Sequence, residues 1–417
     1  MERSDPDVAI VGGGLLGTFL ACLTAEMGFR TVVFRMSDSK IPHAETLRNQ
    51  GWLQTGLRYI RHDKALAEHM WTYGRRMHDF LVLKSPEGRG IIQVDASEGE
   101  AFYRDAADLG VSHSIRELPS DTARAILGPL HRIRGIAFET PESPFDEALL
   151  LREAREVARS AGAAFREIRT PVEILPFAGS APSHRLKVDG REIAAGVTIL
   201  AAGVGNIPLL KSLKSAVKLE LRQTPILVIP GPPLISAPIL LDRSAGLSIV
   251  AHPPGSYRDD GCMVVGTEVH DNDVPYCMPE LRSISPETQE GVYKRLPDCI
   301  RDLVGMSRFT AGWEPIPFKD GKALPHVRPW IETIEGHSDV IASLPGRATL
   351  ALYAAEQVLE KLPSEFKRNQ RSQGADGANP WYASLPGTNW EPSAQIRMHF
   401  EKYYDGLNDG KPRDIVH

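Results

Sequence analysis

Apolar and polar positions alternate along this chain in two different rhythms. Residues 8–34, within "DVAIVGGGLLGTFLACLTAEMGFRTVVFRM", read as a buried strand, a glycine turn, an apolar helix and a second β-branched strand. Residues 61–83 have helical spacing, with Ala65, Met70, Met77 and Leu81 set among charges. Short strand-like runs, "GIIQV" and "RGIAFET", fall between about 90 and 140. "SPFDEALLLREAREVARSAGAAF" predicts a helix that starts at Ser143–Pro144 and shows a Glu/Arg-rich face to solvent. From about 218 to 270 the period shortens to two in "LELRQTPILVIP", "PILLDR", "LSIVAHP" and "CMVVGTEV", as in a mostly antiparallel sheet. Residues 286–305 predict a further helix. "VTILAAGVG" and "DVIASLPGRATLALYAAEQVLEKL" each predict a strand running into a turn, the latter followed by a helix.

The strand–turn pieces near 8, 198 and 340 belong together, and the antiparallel region interrupts them. The fold class expected is therefore α/β. A Rossmann-like nucleotide-binding domain is built from 1–85, 142–215 and 320–365, and a substrate domain with a mostly antiparallel sheet from 86–141 and 216–319. Residues 366–417 form a polar, Gly/Pro-rich extension that reads as mobile or draped over the surface. There are no internal repeats.

Composition changes this picture little. The chain has 417 residues, 42% hydrophobic and 24% charged, as in an ordinary globular protein. A net charge of −5 argues against a nucleic-acid-binding surface as the main purpose. Cys22, Cys262, Cys277 and Cys299 form no CxxC pair and no zinc spacing, so they read as reduced thiols of a cytosolic protein. The N-terminal apolar stretch follows acidic residues and is broken by three glycines and Glu26. It fits neither a signal peptide nor a membrane span.

Gly12, Gly14 and Gly17 complete G-x-G-x-x-G between a strand and a helix. The first glycine permits the tight turn, the second a close approach to pyrophosphate, and the third close packing of helix on strand. Phosphates would rest on the N–H groups of the helix start, next to Leu16. Arg35 ends the second strand, where an acid usually accepts bonds from the adenosine ribose. An arginine accepts none. It can face a 2′-phosphate, as in NADP binding. It can instead flank the adenine, with the ribose held by Ser37, Asp38 or backbone, or it can point to solvent.

"TLRNQGWLQTGLRY", Thr46 to Tyr59, resembles the D-amino-acid-oxidase-like superfamily of FAD-dependent oxidoreductases. That superfamily includes glycine oxidase, L-2-hydroxyglutarate dehydrogenase and FAD-dependent glycerol-3-phosphate dehydrogenase. "VTILAAGVGNIPLL" resembles its second nucleotide signature, and "GWEPIPFKDGKALPHVRPWI" with "DVIASLPGRATLALYAAEQVL" its terminal flavin loop and helix. The resemblance covers about residues 7–362. It implies a two-domain fold, a non-covalent FAD and a small-molecule substrate over the flavin face. It implies cofactor contacts at Gly12, Gly14, Leu16, Gly17, Arg35, Thr46, Arg48, Asn49, Gln50, Gly51, Val172, Ala202, Gly203, Gly346, Arg347, Ala348 and Thr349. Arg35 is then a local departure beside the adenosine, which turns the reading from NADP to FAD.

Other departures bear on the reaction. Gln54 stands where many relatives acting on hydroxyls carry His. Glu314 stands where many carry an arginine that clamps a substrate anion. Arg347 matches an arginine that holds carboxylate in glycine oxidase, and Arg58 and Tyr59 match substrate-facing residues of glycerol-3-phosphate dehydrogenases. Glu314 can attract a cation or pair with one of these arginines. Oxidising an alcohol needs a base, which Gln54 cannot be near neutral pH, whereas an amine only has to arrive deprotonated. His252, His326 and Tyr257 are the remaining candidate bases. The leading expectation is an amine or amino-acid oxidase with Gln54, Arg58, Tyr59, Glu314 and Arg347 at the reacting end. The alternatives are a 2-hydroxy-acid or polyol dehydrogenase and a non-catalytic flavoprotein.

Overall fold

The structure is a computed structural model. It describes residues 5–36, 51–81, 90–144, 147–176, 184–252, 261–271, 284–303, 305, 307–325 and 327–363. The expected tail at 366–417 lies outside the described residues.

A six-stranded sheet is built around the strand Val8–Val11. It pairs in parallel with Thr31–Met36 on one side and with Val197–Leu200 on the other. Ala164–Ile168 extends the first side, and His337–Leu344 followed by the antiparallel Trp330–Ile334 extends the second. The helix Leu15–Glu26 is buried from Leu15 to Ala25. It is covered on the same face by the helices Glu147–Ser160 and Ala351–Lys361. That burial on all sides explains why its sequence is apolar throughout rather than striped.

The second large sheet has nine strands, and its pairing is antiparallel except where Ile239–Asp242 meets Gly90–Asp95. Its long strands are Lys218–Pro230 and Arg308–Lys319. The four strand runs expected between 218 and 270 are all present and adjacent. On this strand membership we propose the division into a nucleotide-binding and a substrate domain. The small strand Lys322–Ala323 joins the nine-stranded sheet, so that sheet reaches slightly past residue 319.

Three local expectations are corrected. The helix expected over 286–305 is two helices, Pro286–Arg295 and Asp298–Arg301. Leu296 between them is extended (φ −75°, ψ 137°), as the residue before Pro297 must be to avoid the proline ring. Ser143–Pro144 does not start a helix but pairs with Trp52–Leu53 as a short antiparallel ladder. The next helix is described from Glu147. In the helix Lys64–Leu81, Ala65 is exposed, and Leu66, Ala67 and Met70 are the positions turned inward. The Met77 and Leu81 side chains lie outside the described residues.

The glycine turn is sterically closed. Gly12 has φ +118°, and a Cβ there would lie 2.3 Å from Ala201 O. A Cβ on Gly17 would lie 2.0 Å from Gly12 O. Gly17→Ala is therefore expected to lower stability by about 1–3 kcal/mol, since backbone rather than a pliable side chain must give way. Urea midpoints test this against Gly305→Ala, where no atom lies within 4 Å of the added carbon. Equal midpoints for the two variants would contradict the steric argument.

Candidate functional site

The two sheets face a cavity of about 880 Å³ that runs from the glycine turn to the middle of the nine-stranded sheet. That volume is near the upper end of the range for cofactor sites, roughly 300–1,000 Å³. At one end its wall is Gly12, Gly14, Leu16, Arg35, Val172, Ala202 and Gly203. These are seven of the residues singled out in the sequence. Gly17 lies behind them in the helix packing. Thr46, Arg48, Asn49 and Gln50 lie outside the described residues, as do Ser37 and Asp38. Gly51 is described and buried (φ +66°) but does not reach the cavity wall.

Two side chains that sequence reading missed fix this end. Arg155, from the helix Glu147–Ser160, donates to Gly13 O at 2.9 Å and lines the cavity. Asn206 is fully buried; its amide donates to Leu200 O at 3.2 Å and Ser343 O at 3.1 Å and accepts from Ala202 N at 3.0 Å. One side chain thus ties two parallel strands to the Ala202–Gly203 turn. No local pattern marks either residue, because Gly13 and Ser343, the partners that give each its role, lie more than a hundred positions away.

Arg35 lies over the glycine turn: a Cβ on Gly13 would come within 2.8 Å of Arg35 Cβ. It sits directly across the parallel ladder from Glu167 and pairs with it at 3.7 Å. The solvent-pointing alternative is therefore incomplete, since Arg35 both packs and pairs at the cavity wall.

The other end of the cavity is assembled by two turns. In the first, Trp52 and Gln54 line the cavity. Glu142 lies beneath them, 1% exposed. Its Oε2 accepts from Trp52 Nε1 at 2.6 Å and Thr55 N at 3.0 Å, and its Oε1 accepts from Thr55 Oγ1 at 2.5 Å. Gly56 (φ +92°) then reverses the chain, tight against Ala67 O. Gln54 N donates to Thr349 Oγ1 at 3.2 Å, which joins this turn to the second. Gln54 Oε1 has no hydrogen-bond partner among the described residues.

The second turn is Gly346–Thr349, which follows the strand His337–Leu344 and opens the helix Ala351–Lys361. Gly346 (φ +72°) has no room for a Cβ, which would lie 2.5 Å from Arg328 O. Gly346, Arg347, Ala348 and Thr349 all line the cavity. Arg347 pairs with Glu314 at 3.2 Å, and Tyr59 and Glu314 both favour its charged form against burial. Glu314 also accepts from Arg222 Nε at 3.0 Å and from Arg222 NH2. Those two residues are direct partners across the antiparallel ladder. Of the two roles open to Glu314, the structure displays pairing with arginine. Tyr59 is not on the cavity wall.

Arg58 is at the rim, 3.5 Å from the exposed Glu268. Arg328 lines the wall with Asp63 accepting from its Nε at 3.0 Å. The far wall is Thr224, Ile226, Ser248, Thr267, His270, Gly312 and Trp313. His252 is buried in its strand and does not reach the cavity, and His326 and Tyr257 lie outside the described residues. His270 is the histidine that the described wall contains, and sequence reading passed over it.

Burial pushes the Glu142 carboxyl up to about 7, against the opposing pull of the Thr55 and Trp52 hydrogen bonds and the Arg58 charge. The folded chain thus holds this proton more tightly than the unfolded one. Stability from this group falls as pH rises from about 4.5 to about 7 and is flat above, a span worth about 3 kcal/mol. Glu142→Gln should lack that slope. Denaturation midpoints measured across this pH window will display it, and parallel curves for the two proteins would contradict it.

A nucleotide cofactor fits this architecture. A Cβ-free cradle, a helix start facing the cavity and the open Gly203 turn are what a pyrophosphate needs. Comparison with known proteins agrees. The family model described as FAD dependent oxidoreductase matches residues 7–346. A probable FAD-dependent oxidoreductase, PA4991 of Pseudomonas aeruginosa, is 27% identical over 219 residues, which are 50% of this chain and 54% of that protein. The matched part thus spans about half the length of this curated relative. Iminodiacetate oxidase from Chelativorans sp. BNC1 has the same fold, with a TM-score of 0.61 at 18% identity, covering 92% of this chain and 100% of that one. L-α-glycerophosphate oxidase from Mycoplasma pneumoniae, solved with FAD bound, gives 0.62 at 15% identity, covering 86% and 95%. With its glycine turn and its second nucleotide turn within a matched span that reaches the start of the terminal loop, the chain belongs to the DAO family of FAD-dependent oxidoreductases.

Proposed function

We propose that this enzyme oxidises a small amine or amino acid at its C–N bond. The observation that carries the reading is Gln54, a neutral amide on the cavity wall in the first turn, whose backbone N–H joins it to the second. An amide takes no proton near neutral pH, which suits a substrate that needs no adjacent base to remove a hydroxyl proton. The similarity to a protein named iminodiacetate oxidase supports the same reading.

In this proposal Gly12, Gly14, Ala202 and Gly203 hold the pyrophosphate of a non-covalent FAD, with Arg35 and Val172 beside its adenosine. Gln54 and the turn Gly346–Thr349 hold its flavin end. FAD, when bound, supplies the two-electron acceptor. The chain's own residues bind and orient. Arg58 and Arg347 draw the substrate's anionic group, and Glu314 restrains Arg347 by pairing with it. Tyr59 favours the charged form of the same guanidinium. A cytosolic location is part of the proposal and rests on Cys22 and Cys299, neither of which is in a disulfide among the described residues.

A second reading, oxidation of a 2-hydroxy acid or polyol, is favoured by one observation, the His270 imidazole on the far wall. The similarity to a glycerophosphate oxidase belongs with it.

Purified protein is expected to be yellow and to release FAD on denaturation. Anaerobic mixing with amino acids and N-alkyl glycines should bleach the flavin, and hydroxy acids should not. Bleaching by hydroxy acids alone would select the second reading. Arg347→Ala is expected to raise KM for an anionic substrate about tenfold or more with a smaller change in kcat. The reverse pattern would argue against its part in ground-state binding.

A further inference from the structure

The five arginines on the cavity wall differ in how their charge is met. Arg35 and Arg155 are at the nucleotide end. Arg58, Arg328 and Arg347 are at the opposite end, where Glu314 is the acid on the described wall. Asp63 takes Arg328 through both carboxylate oxygens, Oδ2 accepting from Nε at 3.0 Å and Oδ1 from NH2. That fork meets the charge of Arg328 with one acid in the geometry a guanidinium prefers.

Arg222 and Arg347 have one acid between them. Glu314 accepts from Arg222 Nε at 3.0 Å and pairs with Arg347 at 3.2 Å. Two guanidiniums and one carboxylate leave a positive charge over. Arg222 and Glu314 are only 13% and 14% exposed, so water screens this cluster poorly. A charge in that setting calls for a counterion within the site.

Arg58 is met differently. Its ion-pair partner among the described residues is Glu268, at 3.5 Å, and that carboxylate is 56% exposed. An exposed pair at such a distance contributes little. The backbone that carries Arg58 is nevertheless fixed, because Leu57 is fully buried and Gly56 reverses the chain against Ala67. Glu268 reaches Arg58 from the nine-stranded sheet, one residue beyond the strand Cys262–Thr267. The hydrogen bond from Gln54 N to Thr349 Oγ1 ties the turn before Arg58 to the turn with Arg347. Both guanidiniums therefore serve the same end of the cavity from adjoining turns.

We infer that the substrate carries two carboxylates, one taken by Arg347 and the second by Arg58, with Glu268 as the counterion that the second carboxylate displaces. This rests on the amine reading and makes the substrate class an amino dicarboxylate. Arg347 belongs to the buried cluster, so its carboxylate is the obligatory one. Arg58 exchanges a carboxylate of the chain for one of the substrate, so it sets the preference among substrates. Its planar fork can take both oxygens of the incoming group.

The test uses the FAD-loaded enzyme and pairs of compounds that differ by one carboxylate. Anaerobic flavin bleaching is compared for glutamate and glutamine and for aspartate and asparagine, each as both enantiomers, and for N-(2-carboxyethyl)glycine and N-propylglycine. In the pair that is oxidised best, kcat/KM should be at least about tenfold higher for the dicarboxylate, the gain expected of a hydrogen bond between charged groups. Arg58→Gln should bring that ratio toward unity, mainly through KM. Glu268→Gln should raise the ratio severalfold, and it carries the test should Arg58→Gln not fold. A readout without turnover uses glutarate and butyrate, which have no amine to oxidise. Flavin absorbance should report tighter binding of glutarate, and Arg58→Gln should remove the difference. A native enzyme without the preference, or an unchanged ratio in both variants, would overturn the inference. Bleaching by hydroxy acids and by no amine would instead overturn the amine reading, and the glutarate comparison would still decide whether a second carboxylate is bound.

Discussion

Everything in this structure is arranged around a contact that admits no side chain. The carbonyl of Gly12 lies where a Cβ on Gly17 would be, and the Ala201 carbonyl lies where one on Gly12 would be. Three backbone segments therefore cross at atomic contact. Because the turn is this tight, the helix Leu15–Glu26 starts immediately over the end of its strand and presents its N–H groups to the cavity. Because the helix lies so low on the sheet, it is buried along its length and can be roofed by helices that return from residues 147 and 351. Cofactor cradle and hydrophobic core are consequences of one steric fact.

At the other end of the cavity, buried acids do the organising, each in a different setting. Glu142 makes no ion pair among the described residues; its oxygens are occupied by an indole N–H, an amide N–H and a hydroxyl. Desolvation then dominates, and the group is easily protonated. Glu314 lies between two guanidiniums and serves as their common counterion. Removing one member of such a cluster leaves a buried charge uncompensated, so the three residues act as a unit. Arg222–Glu314–Arg347 ties the nine-stranded sheet to the turn that leaves the six-stranded one. Gln54–Thr349 ties that turn to the one braced by Glu142. The geometry of this end of the cavity thus depends on contacts between segments from five distant parts of the chain.

Much of this was legible beforehand. Alternation in "LSIVAHP" and "CMVVGTEV", and the unbroken apolar run before the glycines, reflect burial on known sides of a strand or helix, and burial is written locally. So is the need for glycine where φ is positive or space is lacking, as at Gly12 and Gly346. Local pattern failed where a longer-range partner competed. Ser143–Pro144 has the composition of a helix start yet is drawn into a ladder by Trp52–Leu53. Residues 286–305 have a helical period that Pro297 divides.

The sequence by itself determined the α/β class, the glycine cradle, the FAD-dependent family and most of the cavity residues at the nucleotide end, because each depends on residues close together in the chain. Only the tertiary structure decided that Glu314 faces Arg222 and Arg347, that Glu142 underlies Gln54, that Asn206 and Arg155 hold the nucleotide turns, and that His270 rather than His252 reaches the cavity. Hydrogen bonds and ion pairs form between side chains brought together by packing. Which polar side chain meets which is set by strand register and sheet order, and no short stretch of sequence contains that information.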